Sequence, residues 1–265
     1  MKYQIERVNT ATAVITEGKK GVHMFLLEGE NRALLIDTGT GEGNLSECIK
    51  KLTDKPVLVV NTHGHYDHMG GNHFFAEIHL HPADKEVAAS HQDSAYLSQM
   101  IRKMTSGSVY LLAKIWKPFL LNPRPTRKFV DMADGQIFDL GNRKIEVWHT
   151  PGHTKGSVCL YDHKYDLLFT GDSICRHLVL LGGMDFCDKP EAYVEALQRL
   201  QKRVTPKTVL YSNHHENPVP QEYIQKYITC ATKIMERPEE GVKMKYGAGL
   251  WDVMVYEDVK LTFDR

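Results

Sequence analysis

Residues 57–71, V-L-V-V-N-T-H-G-H-Y-D-H-M-G-G, combine a short apolar run with a dense group of metal-binding side chains. The run Val57–Val60 lies between Pro56 and a glycine-rich turn, which predicts a buried strand. Open α/β folds place ligand-binding loops at the carboxyl ends of such strands. The stretch therefore predicts a metal-binding loop after a central strand, and its candidate ligands are His63, His65, Asp67 and His68.

The spacing of these four residues suggests how they would be shared between metal ions. Alternate residues of an extended segment face the same way, so His63 and His65 can bind one ion. A turn after Tyr66 would direct Asp67 and His68 towards a second ion.

Further candidate ligands follow three later predicted strands. His153 lies in T-P-G-H-T-K-G-S after the strand 143–149, and Asp172 lies in T-G-D-S after the strand 166–170. His214 and His215 both follow the strand 207–212, and we favour His214 as the ligand. If the strands pack as sheets, these loops converge on one edge.

Histidine and carboxylate ligands suit Zn²⁺, and also Mn²⁺ or Fe. The predicted sets are His63, His65 and His153 for one ion, Asp67, His68 and His214 for the other, and Asp172 as the bridge. A hydroxide bound to the two ions would be the nucleophile, because metal ligation lowers the pKa of water to about 7. Asp67 would also act in catalysis by orienting this hydroxide.

The composition indicates a single domain spanning residues 1–265. The chain has 42% apolar residues, enough for a full core, and 33 basic residues balance 33 acidic ones. Without a basic excess, nucleic acid is an unlikely partner. No apolar stretch approaches the roughly 18 residues of a membrane span. The N-terminus has no apolar signal region, and the five cysteines are scattered, so we expect a cytoplasmic protein with free thiols.

Hydrophobic periodicity predicts sheets with helices outside them. One strand is expected over 3–15, followed by strands at 22–28 and 33–36 and a helix at 42–53. Later helices are predicted at 190–203 and 220–236. The tail, 243–263, alternates and predicts two or three strands.

A basic, largely helical insertion is expected at about 94–130. From Ser94 to Val130 there is no acidic residue, and the seven basic ones are Arg102, Lys103, Lys114, Lys117, Arg124, Arg127 and Lys128. Its charges are solvated if the segment is an ordinary surface helix. A lid that attracts an anionic substrate is one alternative, and contact with a partner or a membrane surface is another.

Several other residues near the predicted ligands need an interpretation. We expect Cys175 and Cys187 to be core thiols and His177 to be a candidate for the pocket wall. Six other histidines are predicted to be structural or solvated: His23, His79, His81, His91, His149 and His163.

T-H-G-H-Y-D-H-M-G-G at 62–71 resembles the signature of the metallo-β-lactamase superfamily. The resemblance extends to I-D-T-G at 36–39, T-P-G-H-T-K-G-S at 150–157, T-G-D-S at 170–173 and Y-S-N-H at 211–214. It implies an α+β fold, a four-layer αββα sandwich, with a dinuclear metal site at one edge. The family commonly has P-G-H-G where this chain has S-N-H-H-E, which aligns His214 with the family histidine.

The resemblance also narrows the expected activity. Diiron oxygen reductases of the family usually carry Glu where this chain has His65, which favours hydrolysis. The expectation is a hydrolase, with two Zn²⁺, that attacks the carbonyl of a small ester, thioester, lactone or amide. The alternatives are a phosphodiesterase acting on a small anionic substrate and an oxidoreductase similar to the mononuclear iron persulfide dioxygenases. The oligomeric state is left open.

Overall fold

Two β-sheets lie face to face in the structure. The computed structural model describes residues 3–18, 21–104, 123–182, 185–246 and 249–265. The first sheet follows chain order: β1 (Tyr3–Asn9), β2 (Thr12–Glu17), β3 (His23–Glu28), β4 (Ala33–Ile36), β5 (Val57–Val60), β6 (Ile78–Leu80) and β7 (Phe129–Asp131). Strands β1 to β4 are antiparallel, and β4 to β7 are parallel.

The second sheet supplies the later loops of the site. From one edge to the other it consists of β13 (Val209–Tyr211), β11 (Leu167–Phe169), β10 (Val158–Asp162), β9 (Lys144–His149) and β8 (Ile137–Asp139). A smaller third sheet contains β12 (Leu178–Leu180), β16 (Val259–Phe263), β15 (Gly249–Tyr256) and β14 (Val242–Tyr246). The predicted tail strands therefore form a sheet of their own with β12.

Side-chain alternation explains how the two large sheets pack. On β3, Phe25 and Leu27 face the second sheet, while Met24 and Leu26 belong to the cluster on the other face. The rings of Phe25 and Phe169 lie 4.8 Å apart between the sheets. Because both faces of β3 are covered, its sequence is apolar throughout rather than alternating.

Helices cover the outer faces of both sheets. Helix α1 (Leu45–Leu52) packs Leu45 and Ile49 on the first sheet. The other helices are α2 (Tyr66–Met69), α3 (Lys85–Ser90), α4 (Ser94–Met104), α5 (Pro190–Arg203) and α6 (Tyr223–Glu236). Helices α5 and α6 cover the second sheet, and α6 also packs on the third. The layers are helix, sheet, sheet and helix, as the predicted α+β sandwich requires.

A buried arginine joins the two large sheets. Arg143, which directly precedes β9, is 1% exposed and donates to Asp162 Oδ2 from Nη2 at 2.6 Å. The same guanidinium donates to the carbonyl oxygens of Ala11 and Glu28, at 2.6 and 3.1 Å. All the acceptors around this cation are oxygen atoms, so its burial is compensated by hydrogen bonds.

Some predicted elements need correction. The expected strand 3–15 is two strands, β1 and β2, because the Asn9 side chain accepts from Ala11 N at 2.9 Å and stabilises a turn between them. The helix expected at 42–53 begins at Leu45, because Asn44 Oδ1 caps it by accepting from Glu47 N. Strands β7 and β12 were not predicted; with three residues each, they show too little periodicity.

The basic insertion is described only at its two ends. Helix α4 forms its first part, residues 105–122 lie outside the described residues, and β7 forms its end. Lys128 pairs with Glu77 at 2.5 Å on the exposed surface, as expected for a solvated charge. Within the described ranges, no helix is both long and apolar enough to cross a membrane.

Candidate metal centre

The predicted ligands meet at one edge of the two large sheets. One group follows β5, and the others follow β9, β11 and β13. Their ligand atoms form three overlapping groups, each with all atoms within 4.8 Å of one another: His63, His65 and His153; His63, His68 and Asp172; Asp67, His68 and His214. The structure thus brings together all seven residues.

Three buried imidazoles form the first set. His65 Nδ1 lies 3.1 Å from His63 Nε2 and 3.0 Å from His153 Nε2. Ligand nitrogens around a tetrahedral zinc ion are about 3.3 Å apart, given Zn–N bonds of about 2.0–2.1 Å. A neutral imidazole has one N–H, so three nitrogens at these distances cannot all be satisfied by one another. The arrangement fits a cation.

Two histidines and a carboxylate form the second set. Asp67 Oδ2 lies 3.7 Å from His68 Nε2 and 3.5 Å from His214 Nε2. Among the described residues, His68 Nε2 is buried without a hydrogen-bond partner. His215 is outside this set: its φ is +64°, and its carbonyl oxygen pairs with His23 Nε2 at 2.8 Å.

Asp172 lies between the two sets. Its Oδ1 is 3.5 Å from His68 Nε2, and its Oδ2 is 3.6 Å from His153 Nε2 and 3.1 Å from His214 Nε2. In the described part of the chain, Asp172 Oδ1 is another buried polar atom without a hydrogen-bond partner. One carboxylate therefore reaches both sets, as the predicted bridge would.

Asp37 orients the ligands from behind. It is fully buried after β4, and its Oδ2 accepts from His68 Nδ1 at 2.9 Å and from Thr62 Oγ1 at 2.7 Å. Because that hydroxyl donates to Asp37, it accepts from His63 Nδ1, 3.0 Å away. Both imidazoles then have Nε2 free for a metal. The sequence signal for Asp37 was its position after a strand beside β5, but no role was predicted for it.

A second unpredicted carboxylate, Asp84, joins two ligand loops. It accepts from the backbone N–H groups of Gly64 and Gly156 at 2.7 and 2.6 Å, and from Thr154 Oγ1 at 2.7 Å. Gly64 itself leaves no room for a side chain, since a Cβ would lie 2.9 Å from Asp84 O and Ala88 N. The segment from His63 to His65 is thereby held against the loop of His153.

Backbone carbonyl groups also hold the ligand loops in position. His153 Nδ1 donates to Leu180 O at 2.8 Å, so β12 fixes this ring. Tyr193 and Tyr227 donate to the carbonyl oxygens of Ser173 and Cys175, at 2.5 and 2.7 Å. Helices α5 and α6 therefore hold the loop that follows Asp172.

The protonation of the cluster differs between its two sides. Burial, together with the neighbouring imidazoles, lowers the pKa of His63 and His65 well below the usual value. Burial would also lower the pKa of His214, but the carboxylates of Asp172 and Asp67 raise it to about 10. The pKa of His68 is likewise raised, because three carboxylates lie around it despite its burial.

The pKa values of the carboxyl groups in the cluster shift in the opposite direction to those of His68 and His214. Burial would raise the pKa of Asp172, but His214 and His68 lower it well below its usual value. The same two histidines lower the pKa of Asp67 against the effect of burial. Both carboxylates are therefore ionised at neutral pH.

A pocket of about 350 Å³ opens beside the cluster. Its apolar wall contains Met100, Leu178, Val179 and Leu180. Cys175 also lines it, although its Sγ donates to Leu178 O at 2.9 Å. His177 is outside the lining and lies beside Glu216, whereas His91, expected to be structural or solvated, is part of the pocket wall.

The sequence profile of the metallo-β-lactamase superfamily matches residues 18–215. The chain belongs to the metallo-β-lactamase superfamily. Most members of this superfamily are hydrolases that bind divalent metals, which agrees with the His and Asp cluster in the structure.

Relatives within the superfamily include a named enzyme. The human acyl-coenzyme A thioesterase MBLAC2 is 28% identical over 175 residues, an alignment that covers 60% of this chain and 60% of the human protein. An uncharacterized protein of Aquifex aeolicus is 29% identical over 182 residues, covering 67% and 74% of the two chains. The chain therefore matches little more than half the length of the thioesterase.

Solved superfamily structures show the same fold. A metallo-β-lactamase from Pontibacter korlensis has a TM-score of 0.62 at 19% identity, covering 87% of this chain and 99% of that one. A protein solved in a di-iron-bound form has a TM-score of 0.57 at 24% identity, covering 77% and 92%. The predicted α+β sandwich and the resemblance to the superfamily are confirmed.

Proposed function

We propose that this chain is a dinuclear metal-dependent hydrolase that cleaves acyl thioesters, with zinc as its metal. The observation that carries the proposal is that two ligand sets share Asp172 at the wall of a substrate-sized pocket. His63, His65 and His153 would hold one ion and Asp67, His68 and His214 the other.

A pair of bound divalent ions would supply a nucleophilic hydroxide near neutral pH and would polarise the carbonyl of the substrate. The residues of the chain orient the reactants. Asp67 is ionised and has Oδ2 directed at the cluster, so it can accept a hydrogen bond from the attacking water. That carboxylate would be the catalytic residue, taking a proton from the attacking water and passing it to the leaving thiolate.

The pocket supports a substrate with one apolar part. Four apolar side chains line the pocket together with ionisable residues of the cluster. An acyl chain would pack on the apolar wall with its thioester carbonyl beside the cluster. The thioester class is chosen because the curated relatives at 28–29% identity are named acyl-coenzyme A thioesterases.

A mononuclear iron oxidoreductase would need only one ligand set. The second set, which contains Asp67 and His214, supports a dinuclear hydrolase instead. Purified protein is expected to contain about two zinc ions per chain. One iron per chain together with oxygen consumption would favour the oxidoreductase and contradict the proposal.

The activity is tested with coenzyme A thioesters of short and long acyl chains, supplied with zinc or manganese. Lactones and bis-aryl phosphodiesters serve as comparison substrates. We expect thioester hydrolysis, detected as free thiol, and a loss of at least about 100-fold in kcat for Asp67→Asn. The matched control is Asp54→Asn, in an exposed turn after α1. Preference for a phosphodiester, or unchanged hydrolysis by Asp67→Asn, would overturn the proposal.

A further inference from the structure

A second pocket, of about 360 Å³, lies next to the pocket beside the metal cluster. Tyr66 and His91 are in the linings of both pockets. Helix α4 also contributes to both, since Leu97 lines the second pocket and Met100, one turn later, lines the first. The two pockets are therefore neighbours, and the proposed chemistry uses only the one beside the cluster.

Residues 40–44 line the second pocket, and a buried carboxylate fixes the shape of this loop. Glu17, which is 3% exposed, accepts from Thr40 N and Thr40 Oγ1 through Oε2, at 2.6 and 2.7 Å. Its Oε1 accepts from the backbone N–H of Glu42 at 2.8 Å. Because these bonds involve only the protein, the loop has its shape before a ligand arrives, as is usual for small-molecule sites.

In the described part of this lining, Arg124 is the one permanently charged cation. Its Nη1 lies 3.1 Å from His73 Nε2, and His73 Nδ1 lies 3.1 Å from Gly70 O. A carbonyl oxygen only accepts and a guanidinium only donates, so His73 donates from Nδ1 and accepts at Nε2. Burial, together with the charges of Arg124 and Arg127, lowers the pKa of His73 and keeps its ring neutral at pH 7. The neutral ring thus orients the arginine.

The charges around the second pocket favour an anionic ligand. A guanidinium has five N–H donors in a planar fork that matches two oxygens of one phosphate, and the bond to His73 uses only one of them. Arg124 is exposed, so its other donors can reach a ligand in the pocket that it lines. Arg127 adds a second positive charge near His73, whereas Glu42 is the one carboxylate in the described lining.

We propose that the second pocket binds the diphosphate of the coenzyme A part of the substrate, with the Arg124 guanidinium as its main contact. This inference rests on the proposed thioesterase function and extends the substrate site beyond the reacting carbonyl. A coenzyme A thioester carries its phosphates at the far end of a long pantetheine arm, so they belong in a neighbouring pocket and not at the metal cluster. The arm would pass Tyr66 and His91, which line both pockets.

The test compares an acyl-coenzyme A with the acyl-pantetheine of the same acid, which has the same thioester and amides but no phosphate. The wild type should have a lower KM for the acyl-coenzyme A. In Arg124→Met we expect this KM to rise about 10- to 100-fold, the usual effect of losing hydrogen bonds between charged groups. The kcat should change little, because the phosphate contact is the same before and during the reaction. Cleavage of the acyl-pantetheine should match that of the wild type.

Three further variants make the test specific. Arg124→Lys keeps the charge but loses the planar fork, so its KM for the acyl-coenzyme A should rise less than that of Arg124→Met. Glu42→Gln removes a negative charge from the lining, so its KM for the same substrate should fall; a rise would contradict an anionic ligand. The matched control is Arg32→Met, at an exposed arginine in the turn before β4, and it should leave both substrates unaffected.

Equal losses with both thioesters in Arg124→Met would show that Arg124 only supports the shape of the site, and would overturn the contact. A wild type with the same KM for both thioesters would also overturn it.

Binding of ADP to the zinc-loaded protein, measured by calorimetry, separates this inference from the proposed function. Weaker binding of ADP to Arg124→Met supports the anion site, and equal binding overturns it. If ADP binds through Arg124 but the wild type does not distinguish the two thioesters, the site takes a free nucleotide and the coenzyme A assignment is wrong. A wild type inactive on every thioester would refute the proposed function, whatever the result with ADP.

Discussion

At the scale of single residues, Asp37 shows how a side chain that binds no metal can control the site. Its carboxylate is fully buried and accepts from His68, Thr62 and Asn213. Both His68 and His63, the latter through Thr62, depend on it for their orientation. Loss of such a supporting group typically lowers metal affinity 10- to 100-fold.

We therefore expect Asp37→Asn to weaken binding of the second metal ion by about 10- to 100-fold, because an uncharged amide is a poorer acceptor for His68 Nδ1. Competition with a chromophoric chelator measures the affinity. Asp54→Asn, on an exposed turn, should leave it unchanged. Equal affinities in Asp37→Asn and the wild type would show that Asp37 does not orient the ligands.

His81 carries a prediction about pH. Burial and the stacked ring of His149, 4.1 Å away, lower the pKa of His81 from 6.5 to about 4. The unfolded chain therefore binds a proton at this residue below about pH 6.5, whereas the folded chain does so only near pH 4. Proton uptake by the unfolded chain lowers the free energy of unfolding across this interval.

In His81→Asn this contribution is absent. The amide oxygen can still accept from Ala83 N, as His81 Nδ1 does at 3.4 Å. We expect the free energy of unfolding, measured with urea, to fall less between pH 6.5 and pH 4 in the variant than in the wild type. Above pH 7 the two proteins should show the same dependence on pH. Parallel pH dependence throughout would contradict the shift in the pKa of His81.

At the scale of elements, Asp84 ties together two loops that are far apart in sequence. Its two oxygens accept from Gly64, Thr154 and Gly156. In Asp84→Asn one oxygen becomes an NH₂ group, which cannot accept, so at least one buried donor loses its partner.

We expect Asp84→Asn to lower the free energy of unfolding by about 2 kcal/mol and to weaken metal binding by His63, His65 and His153. Urea unfolding in the presence of a chelator measures the first effect, and chelator competition the second. The control is Asp139→Asn, because Asp139 accepts from Gly141 N in an exposed turn and touches neither loop. A variant as stable as the control would contradict this role.

The ligand loops were predictable because their signal is local. Each ligand directly follows a short apolar strand, and parallel strands bring such loops to one edge. Asp37 and Asp84 act through contacts with residues 20 or more positions away. Their local sequence does not indicate those contacts, so their roles can be recognised only in the folded chain. The two turn residues of the first hairpin were missed for a different reason, since a β-bulge there hides the break in the alternation.

At the scale of the whole molecule, the two ligand sets differ in charge. His63 and His65 have lowered pKa values and are neutral at pH 7, whereas His68 and His214 have raised pKa values and carry protons. A metal ion binds only the deprotonated nitrogen, so the second set must release protons on binding.

We therefore expect chelator-treated protein to take up zinc in two steps that differ in pH dependence. Near pH 5.5 it should bind one ion per chain tightly, and near pH 8 two. Titration calorimetry in buffers of different ionisation enthalpy should show that the second step releases more protons than the first. Identical proton release in both steps, or two tight ions at pH 5.5, would refute this asymmetry.

The order of the sandwich layers was also predictable, since both the residue periodicity and the resemblance indicated sheets covered by helices. The third sheet was not predictable in full, because its strand β12 comes from the loop region after Asp172 and pairs in parallel with β16, about 80 residues later in the chain. Pairing across such a distance depends on the final packing.

The buried Arg143 has a consequence for how fast the molecule opens. It lies before β9, whereas the His153 loop follows that strand, so the ion pair with Asp162 and the ligand cluster lie at opposite ends of β9. The first large sheet supplies one ligand loop, after β5, and the second supplies three, after β9, β11 and β13. Hydrogen bonds of the guanidinium therefore hold the two sheets together at one end whether or not metal is present. Metal ions would hold them together at the other end only when bound. Removal of the metal ions by a chelator should leave the two sheets hinged at Arg143. We therefore expect the native state to have a shorter lifetime, and the midpoint of equilibrium unfolding alone would understate this kinetic effect.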